Sequence, residues 1–324
     1  LIKKWRKKMK NILVLGASGQ IGSELTGELR KIYGSDHVVG GDINLNVSCE
    51  LKESGPYEYI DIRDGEKIVE VIKKYNIDTI YNLVALLSAV GEQKPQFSWE
   101  INIGGLMTVL EIAREHKCAV FTPSSIGAFG PTTPPDHTPQ DTIMRPTTIY
   151  GISKAAGELL SDYYYLKYGV DTRSVRYPGL ISYKTLPGGG TTDYAVEIFY
   201  EAIKTKKYKS PLPQGTFLDM MYMPDAIRAA IDLMEADPAR LVHRNSFNVT
   251  AMSFDPEILA GEIKKHIPDF VLGYEINPVL VKIANSWPNS MDDSCARSEW
   301  GWKPQYDLSA MTAEMLERLG EKLK

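Results

Sequence analysis

The chain has 324 residues, of which 43% are hydrophobic and 24% charged, the balance of an ordinary globular protein. A formal net charge of −4 gives no electrostatic reason to expect nucleic acid as a partner. No stretch approaches the ~18 apolar residues of a membrane span, so no membrane partner is expected either. The first ten residues differ, with Lys3, Lys4, Arg6, Lys7, Lys8 and Lys10 unopposed by any acid. They read as a solubilising tail or as the remnant of an organelle-targeting segment. A cytoplasmic location is therefore expected, with the mitochondrial matrix as the alternative if the tail is such a remnant. Cys49, Cys118 and Cys295 stand far apart, and the five histidines are scattered. That spacing predicts neither a disulfide framework nor a metal site, and it suits a reducing compartment.

In chain order, the first half alternates short β-branched runs with longer helical patterns. Residues 11–15 (NILVL) read as a buried strand, 20–33 as a helix and 37–40 as a second strand. Further strands are expected at 59–60, 79–83, 119–121 and 172–176, with helices at 64–74, 102–116 and 150–168. Strands spaced by helices make right-handed crossovers, so the expected fold is α/β, a Rossmann-type doubly wound parallel sheet. The second half is less regular. A Gly/Pro-rich passage at 186–192 breaks the alternation, followed by helical stretches, a strand at 246–249 and a Pro-rich region from 256 to 304. We read it as a smaller, mixed substrate lobe over the sheet's carboxyl edge. The expected division is 9–181, with 215–250 returning to it, against a lobe of 182–214 and 251–324.

Gly16-Ala17-Ser18-Gly19-Gln20-Ile21-Gly22 lies between the first strand and the first helix. In that context the glycines permit a tight turn and a close backbone approach to a pyrophosphate, which the helix N-terminus then favours. The G-x-x-G-x-x-G spacing points to the short-chain branch of dinucleotide-binding folds. Asp42 ends the second strand, where an acid accepts from the ribose hydroxyls and repels a 2′-phosphate, so NAD is expected over NADP. Asp61 ends the third predicted strand, where it meets the adenine or caps the next helix.

Tyr150-Gly-Ile-Ser-Lys154 opens a helix, and residues at i and i+4 share a face. A tyrosine with an ordinary pKa of ~10 is a poor base at neutral pH, but a neighbouring ammonium favours the phenolate and lowers that pKa. The expected third member is a hydroxyl at a central strand end. Ser125 takes that place, with Ser124 in reserve. Thr122 or Ser124 could instead satisfy backbone groups in the turn.

These residues resemble the extended short-chain dehydrogenase/reductase family, which includes UDP-galactose epimerase and sugar-nucleotide dehydratases, over residues 11 to about 302. Within it the segments 85–92, 123–130, 176–179, 187–194 (PGGGTTDY) and 286–288 resemble the short-chain type of L-threonine 3-dehydrogenases. The family often has Thr where Ser125 stands, and either hydroxyl can donate. Sugar-nucleotide members usually place an Asn where Pro178-Gly179 follows Tyr177, and an Arg contacting diphosphate where Leu218 stands. Without that cation a diphosphate is poorly neutralised, and a small substrate fits better.

The resemblance implies catalysis by Tyr150, Lys154 and Ser125. It also implies NAD contacts from the loop residues, Asp42, Asp61, Ile62, Leu83, Ala85, Leu86, Tyr150, Lys154 and Tyr177. Substrate contacts are implied for Ser88, Ser125, Tyr150, Thr191, Thr192 and Trp287, with lobe packing the competing role for Trp287. Asp193 contacts the substrate ammonium or caps a helix. Asn102 serves a helix cap rather than an active-site water relay. The implied reaction oxidises the L-threonine hydroxyl to give 2-amino-3-ketobutyrate, by a homodimer joined through helices 102–116 and 150–168. Two other readings are a sugar-nucleotide epimerase or dehydratase that retains its NAD, and a catalytically silent NAD sensor. The missing Arg at position 218 weighs against the first, and the retained Tyr150 and Lys154 against the second.

Overall fold

The computed structural model describes residues 9–184 and 190–324. The basic residues up to Lys8 and the 187–189 part of the PGGGTTDY run lie outside the described residues. Parallel strands β1 (Ile12–Leu15), β2 (Val38–Asp42), β3 (Tyr57–Tyr59), β4 (Thr79–Asn82) and β5 (Ala119–Phe121) are joined by helical connections. Then come β6 (Ser124–Ser125) and, past the Ile149–Tyr168 helix, β7 (Thr172–Arg173), β8 (Val175–Tyr177) and β9 (Gly179–Ile181). The remaining strands are β10 (Lys207–Ser210), β11 (Leu218–Tyr222), β12 (Phe247–Asn248), β13 (Met252–Phe254) and β14 (Val271–Tyr274).

The main sheet has the order β3-β2-β1-β4-β5-β7, all parallel. The chain reverses direction across the sheet between β1 and β4, which opens a crevice at their carboxyl ends. The Rossmann-type α/β expectation is met. One face packs Leu25 and Leu29 of the Gln20–Tyr33 helix and Ile227 and Ile231 of the Met223–Glu235 helix. The other packs Ile68 and Val71 of the Gly65–Tyr75 helix with Val109 and Leu110 of the Gly105–His116 helix. A further core gathers Val196, Phe199, Leu259, Ile263, Met311 and Met315 from the helices of the second half. Alternate residues of β11 face opposite cores, Met221 the first and Met220 and Tyr222 the last, as a strand between two layers must. No helix among the described residues is long and apolar enough to cross a membrane.

Several local expectations shift. The strand expected at 172–176 is two, because Ser174 turns to the 244–246 segment, its hydroxyl accepting from the Ser246 N–H at 2.6 Å. β3 ends at Tyr59, and the chain then turns through an Asp64 N–H to Asp61 carbonyl bond of 2.9 Å. Asp61 therefore does not end a strand. The Pro-rich 256–304 region carries three helices and a strand. Pro256 and Pro278 open helices at positions where a missing N–H costs nothing.

Asp219 of β11 is fully buried, 2.5 Å from the Thr250 hydroxyl, and accepts the Met291 N–H at 2.8 Å. Burial pushes its carboxyl up to about 8, against the lowering effect of those two bonds. A folded pKa above the unfolded one contributes stability that is complete below the unfolded value of ~3.9 and lost as pH rises through the folded one. The urea midpoint should therefore fall as pH is raised from about 4 to about 8. Asp219→Asn, which mimics the protonated acid, should flatten that slope. An equal slope in both proteins would remove Asp219 as its source.

Candidate active site

The glycine loop crosses from β1 to the Gln20–Tyr33 helix with Gly16 at φ +81°, a conformation that favours glycine. A Cβ on Gly22 would lie 2.0 Å from the Gly16 carbonyl oxygen, so only glycine lets the helix begin this close to the turn. No side chain caps that helix and no acid stands in its first turn. Its leading N–H groups and dipole thus face the crevice. The Gln20 side-chain amide nitrogen is buried without a partner. An uncapped helix start with an orphaned donor beside it is the arrangement a pyrophosphate completes, so the residues present fit a dinucleotide.

Asp42 is tied to this loop, accepting the Ser18 N–H on one oxygen and the Asn44 N–H on the other, both at 3.0 Å. Each oxygen keeps a lone pair for a ribose hydroxyl. Asp61 stands differently. Arg63 grips it with Nε at 3.0 Å and Nη2 at 2.6 Å, which holds the carboxyl below its ordinary range. It does not cap the next helix, since Asp64 does so by accepting the Lys67 N–H at 2.9 Å. Ile62 packs its side chain into the core and against Gly105.

Leu83 continues the ladder from β4, donating its N–H to Leu15 at 2.9 Å, and its backbone lies against Gly16. Beyond Ala85, Leu86 is held by Asn102, which accepts its N–H at 2.8 Å and donates to its carbonyl at 3.1 Å. Asn102 also donates to the Ser153 hydroxyl at 3.1 Å. Asn102 is not the helix cap expected of it. It sits in a π-turn, Glu100–Gly104, within a helical run, and so points across to the 84–88 loop.

Thr148 caps the Ile149–Tyr168 helix through the Gly151 N–H at 3.0 Å. A Cβ on Gly151 would lie 2.1 Å from the Gly127 oxygen, and one on Gly127 would lie 3.1 Å from the Tyr150 ring. Two glycines therefore press the helix start onto the turn after β6. Ser125 in that turn accepts the Gly127 N–H at 3.1 Å and lies close enough to the Tyr150 phenol to act on its titration. Lys154, one turn on, has Nζ 5.5 Å from the Tyr150 ring centre and 2.7 Å from the Pro123 carbonyl it donates to. The structure thus brings Ser125, Tyr150 and Lys154 together.

The electrostatic expectation needs correction. Burial raises the Tyr150 phenol and Ser125 draws it back, while the ammonium supplies no resolved lowering because it is turned to Pro123. Burial also brings Lys154 down to about 8, against the carboxylate of Glu158, which raises it.

Ser124, the reserve for the hydroxyl beside Tyr150, is engaged elsewhere. Its hydroxyl donates to Glu158, which lies four residues after Lys154 and is paired with Arg176 of β8 at 2.8 Å. Glu158 and Arg176 were not singled out from the sequence. The signal available was the i, i+4, i+8 stripe of Tyr150, Lys154 and Glu158. A small cavity of about 20 Å³, lined by Asn82, Asn102, Thr122, Lys154 and Glu158 among others, has room for a single water.

The remaining residues divide. Tyr177 turns into the core and donates to the Ala226 carbonyl at 2.6 Å, so its side chain does not reach the crevice. Ser88 is buried at the start of the Ser88–Gln93 helix. Thr191 is buried with its hydroxyl unpartnered, and Thr192 packs against Gly179, where a Cβ would lie 2.7 Å from its methyl. Asp193 neither caps by its side chain nor points away from its own turn, since it accepts the Gly190 N–H at 2.6 Å. Trp287 packs both against the lobe core and against the cluster of Ile126, Phe129 and Met291, beside the Ser125 turn. Leu218 is fully buried, so no side-chain cation stands there.

The family model for the NAD dependent epimerase/dehydratase family matches residues 12–250. An uncharacterised epimerase/dehydratase of Staphylococcus saprophyticus is 52% identical over 98% of this chain and 99% of its own. The structure of an L-threonine dehydrogenase from Clostridium difficile superposes with a TM-score of 0.96 at 56% identity, covering 98% of this chain and 99% of that one. A monomeric L-threonine 3-dehydrogenase from a metagenome gives 0.91 at 42% identity, covering 97% and 100%. The chain belongs to the NAD-dependent epimerase/dehydratase family.

Proposed function

We propose that the protein is an NAD-dependent L-threonine 3-dehydrogenase that oxidises the substrate hydroxyl to the ketone of 2-amino-3-ketobutyrate. The observation that carries this is the Ser125–Tyr150–Lys154 group set beside the glycine loop and Asp42, in a chain 56% identical to such an enzyme. The glycine loop and the Gln20–Tyr33 helix hold the pyrophosphate, and Asp42 holds the adenosine ribose. When bound, NAD⁺ accepts the hydride from the substrate β-carbon. Tyr150 takes the hydroxyl proton, Ser125 steadies the oxygen as its charge changes, and Lys154, one helical turn on, grips the nicotinamide ribose. Ser88, Thr191 and Thr192 supply polar groups for the zwitterion, and Trp287 walls the site. The unpartnered, buried Thr191 hydroxyl and the absence of a cation at Leu218 support a small substrate over a nucleotide sugar. We divide the chain, as above, into 9–181 with 215–250 and 182–214 with 251–324; the cores cross these bounds, since Ala296 and Trp302 pack into the first core and Leu218, Met220 and Tyr222 into that of the lobe.

Purified protein given NAD⁺ and L-threonine should form NADH, followed by its near-ultraviolet absorbance. NADP⁺ or D-threonine in place of either should give little. Turnover of a UDP-sugar without net NADH, and no response to threonine, would replace this reading by the epimerase one. Asp42→Ala should lower kcat/KM for NAD⁺ by roughly 10–100-fold, the worth of hydrogen bonds to a charged group. It should leave NADP⁺ little affected, so the preference narrows. A preference that does not move would detach Asp42 from the ribose.

A homodimer is part of this reading. Ile152, Leu159, Tyr163 and Leu166 form one exposed stripe on the Ile149–Tyr168 helix, with Leu159 65% and Leu166 80% exposed. A second copy packed there would bury it. Light scattering should give twice the chain mass, and Leu159→Glu with Leu166→Glu should halve it. A monomer at the outset, like the metagenome relative, would sink the dimer alone. The free thiols Cys49, Cys118 and Cys295 fit the reducing cytoplasm.

A further inference from the structure

The histidines and cysteines look isolated along the sequence, but the fold gathers some of them. His243, Cys295 and Glu299 present donor atoms that all lie within 4.8 Å of one another. Asp141, an exposed carboxylate outside that trio, has Oδ2 3.4 Å from the His243 Nε2. The groups come from separate places: Asp141 from the segment leading to the Tyr150 helix, His243 from the turn before β12, and Cys295 and Glu299 from the Ser294–Trp300 helix.

Glu299 fixes the tautomer. One of its oxygens accepts the Val242 N–H at 2.6 Å and the His243 N–H at 3.1 Å, and the other faces His243 Nδ1. A carboxylate so placed accepts the Nδ1–H, the arrangement in which Nε2 is the ring nitrogen that binds an ion. Nε2 faces a carboxylate oxygen at 3.4 Å and the Cys295 sulfur at 4.0 Å. Both separations are long for a direct hydrogen bond, yet they suit donors arranged about one cation. Ligands at ~2.0–2.3 Å from zinc, set tetrahedrally, lie about 3.3–3.6 Å apart, so the sulfur needs to move only a few tenths of an ångström. The surroundings are negative as well as donor-rich. Burial raises the Cys295 thiol, and Glu299, Asp292 and Asp141 raise it further, an environment that a dication reverses.

We propose that His243 Nε2, Cys295 Sγ and an Asp141 oxygen bind a borderline-soft divalent cation of the zinc type, with Glu299 orienting the imidazole from behind. Solvent completes the coordination. The Cys295 S–H gives its proton to solvent as the metal–sulfur bond forms, so affinity rises with pH. The bound ion ties the 131–148 segment and the turn before β12 to the Ser294–Trp300 helix. Gln140 beside Asp141 already anchors the same region, donating to the Ser246 carbonyl and accepting the Asn248 N–H, both at 2.8 Å. The site uses none of the groups assigned to catalysis.

The test is titration of the chelator-treated protein with Co²⁺, reading the thiolate-to-cobalt charge-transfer band, with Zn²⁺ as competitor. The expected result is a band that saturates at one ion per chain and disappears on addition of Zn²⁺. Cys295→Ser and His243→Ala should abolish it, with basal dehydrogenase turnover unchanged as the check that each variant is folded. Glu299→Gln should weaken binding by roughly 10–100-fold, as loss of an orienting partner does. No thiolate band in the unmodified protein would overturn the proposal. So would binding that survives Cys295→Ser, which would mark an adventitious ion only. Because the readout is spectroscopic, either outcome leaves the assignment of substrate untouched.

Discussion

Replacing Tyr150 by Phe should lower turnover of L-threonine by roughly 10²–10⁴-fold, the usual worth of a positioned general base, and leave NAD⁺ affinity almost unchanged. The structure makes this a clean substitution. The ring is held by contact with Gly127, which Phe keeps, and Ser125 retains the Gly127 N–H as a partner when the phenol is gone. Only the proton acceptor is lost. Lys154→Ala should behave differently. Its ammonium lies under the Tyr150 ring and is anchored on Pro123, at the edge where the nicotinamide ribose would lie, so both KM for NAD⁺ and kcat should suffer. Steady-state kinetics with cofactor binding measured separately distinguishes the two variants. Turnover in Tyr150→Phe equal to that of the parent protein would end the assignment of Tyr150 as the base.

The parts of this site that were legible in the sequence are those whose geometry one short stretch of chain decides. The glycine loop needs a single turn between a strand and a helix, and Tyr150 and Lys154 need one helical turn. Asp42 needs only the end of β2 beside the loop. What was not legible depends on partners far along the chain. Nothing local distinguishes Ser124 from Ser125. The difference is that β6 alternates and Glu158, 34 residues away, claims the inward hydroxyl. The break between β7 and β8 rests on Ser246, and the commitment of Tyr177 to the core rests on Ala226. Asp61 was misplaced because an Asp before Arg63 can be claimed by that arginine, and side-chain pairing across a turn leaves no period to read. The order of the main sheet was readable only as a class. Alternating strands and helices imply a doubly wound sheet, but the split of its upper end into β6, β8 and β12 comes from tertiary contacts.

Glu158→Ala should destabilise the protein by about 3–5 kcal/mol, because it leaves a buried guanidinium without its charge partner. The Glu158 and Arg176 side chains are only 5% and 6% exposed. Glu158 takes Arg176 Nε at 3.0 Å on one oxygen and Nη2 at 2.8 Å on the other, and the first also receives the Ser124 hydroxyl. Arg176 spends its remaining Nη1 donor on the Gln140 carbonyl at 2.8 Å and Asn248 Oδ1 at 3.0 Å, with its plane 5.0 Å from the Phe129 ring centre. The pair therefore bolts the catalytic helix to the strand that registers Ser124 with Arg176 and Ser125 with Tyr177. Desolvation makes the pair costly as well as strong, so removing both charges should hurt far less than removing one. Urea unfolding of Glu158→Gln, Arg176→Met and the double variant measures this directly. The double variant should lose far less stability than the sum of the two single losses, since contacting residues do not add. The pH–rate profile carries a second reading. The Glu158 carboxylate raises the Lys154 ammonium against burial, so its loss should move the Lys154 titration below about 8. Additive single losses would reduce the pair to two independent packing residues. An unmoved profile in a stable Glu158→Gln protein would separate the bolt from the electrostatics of Lys154.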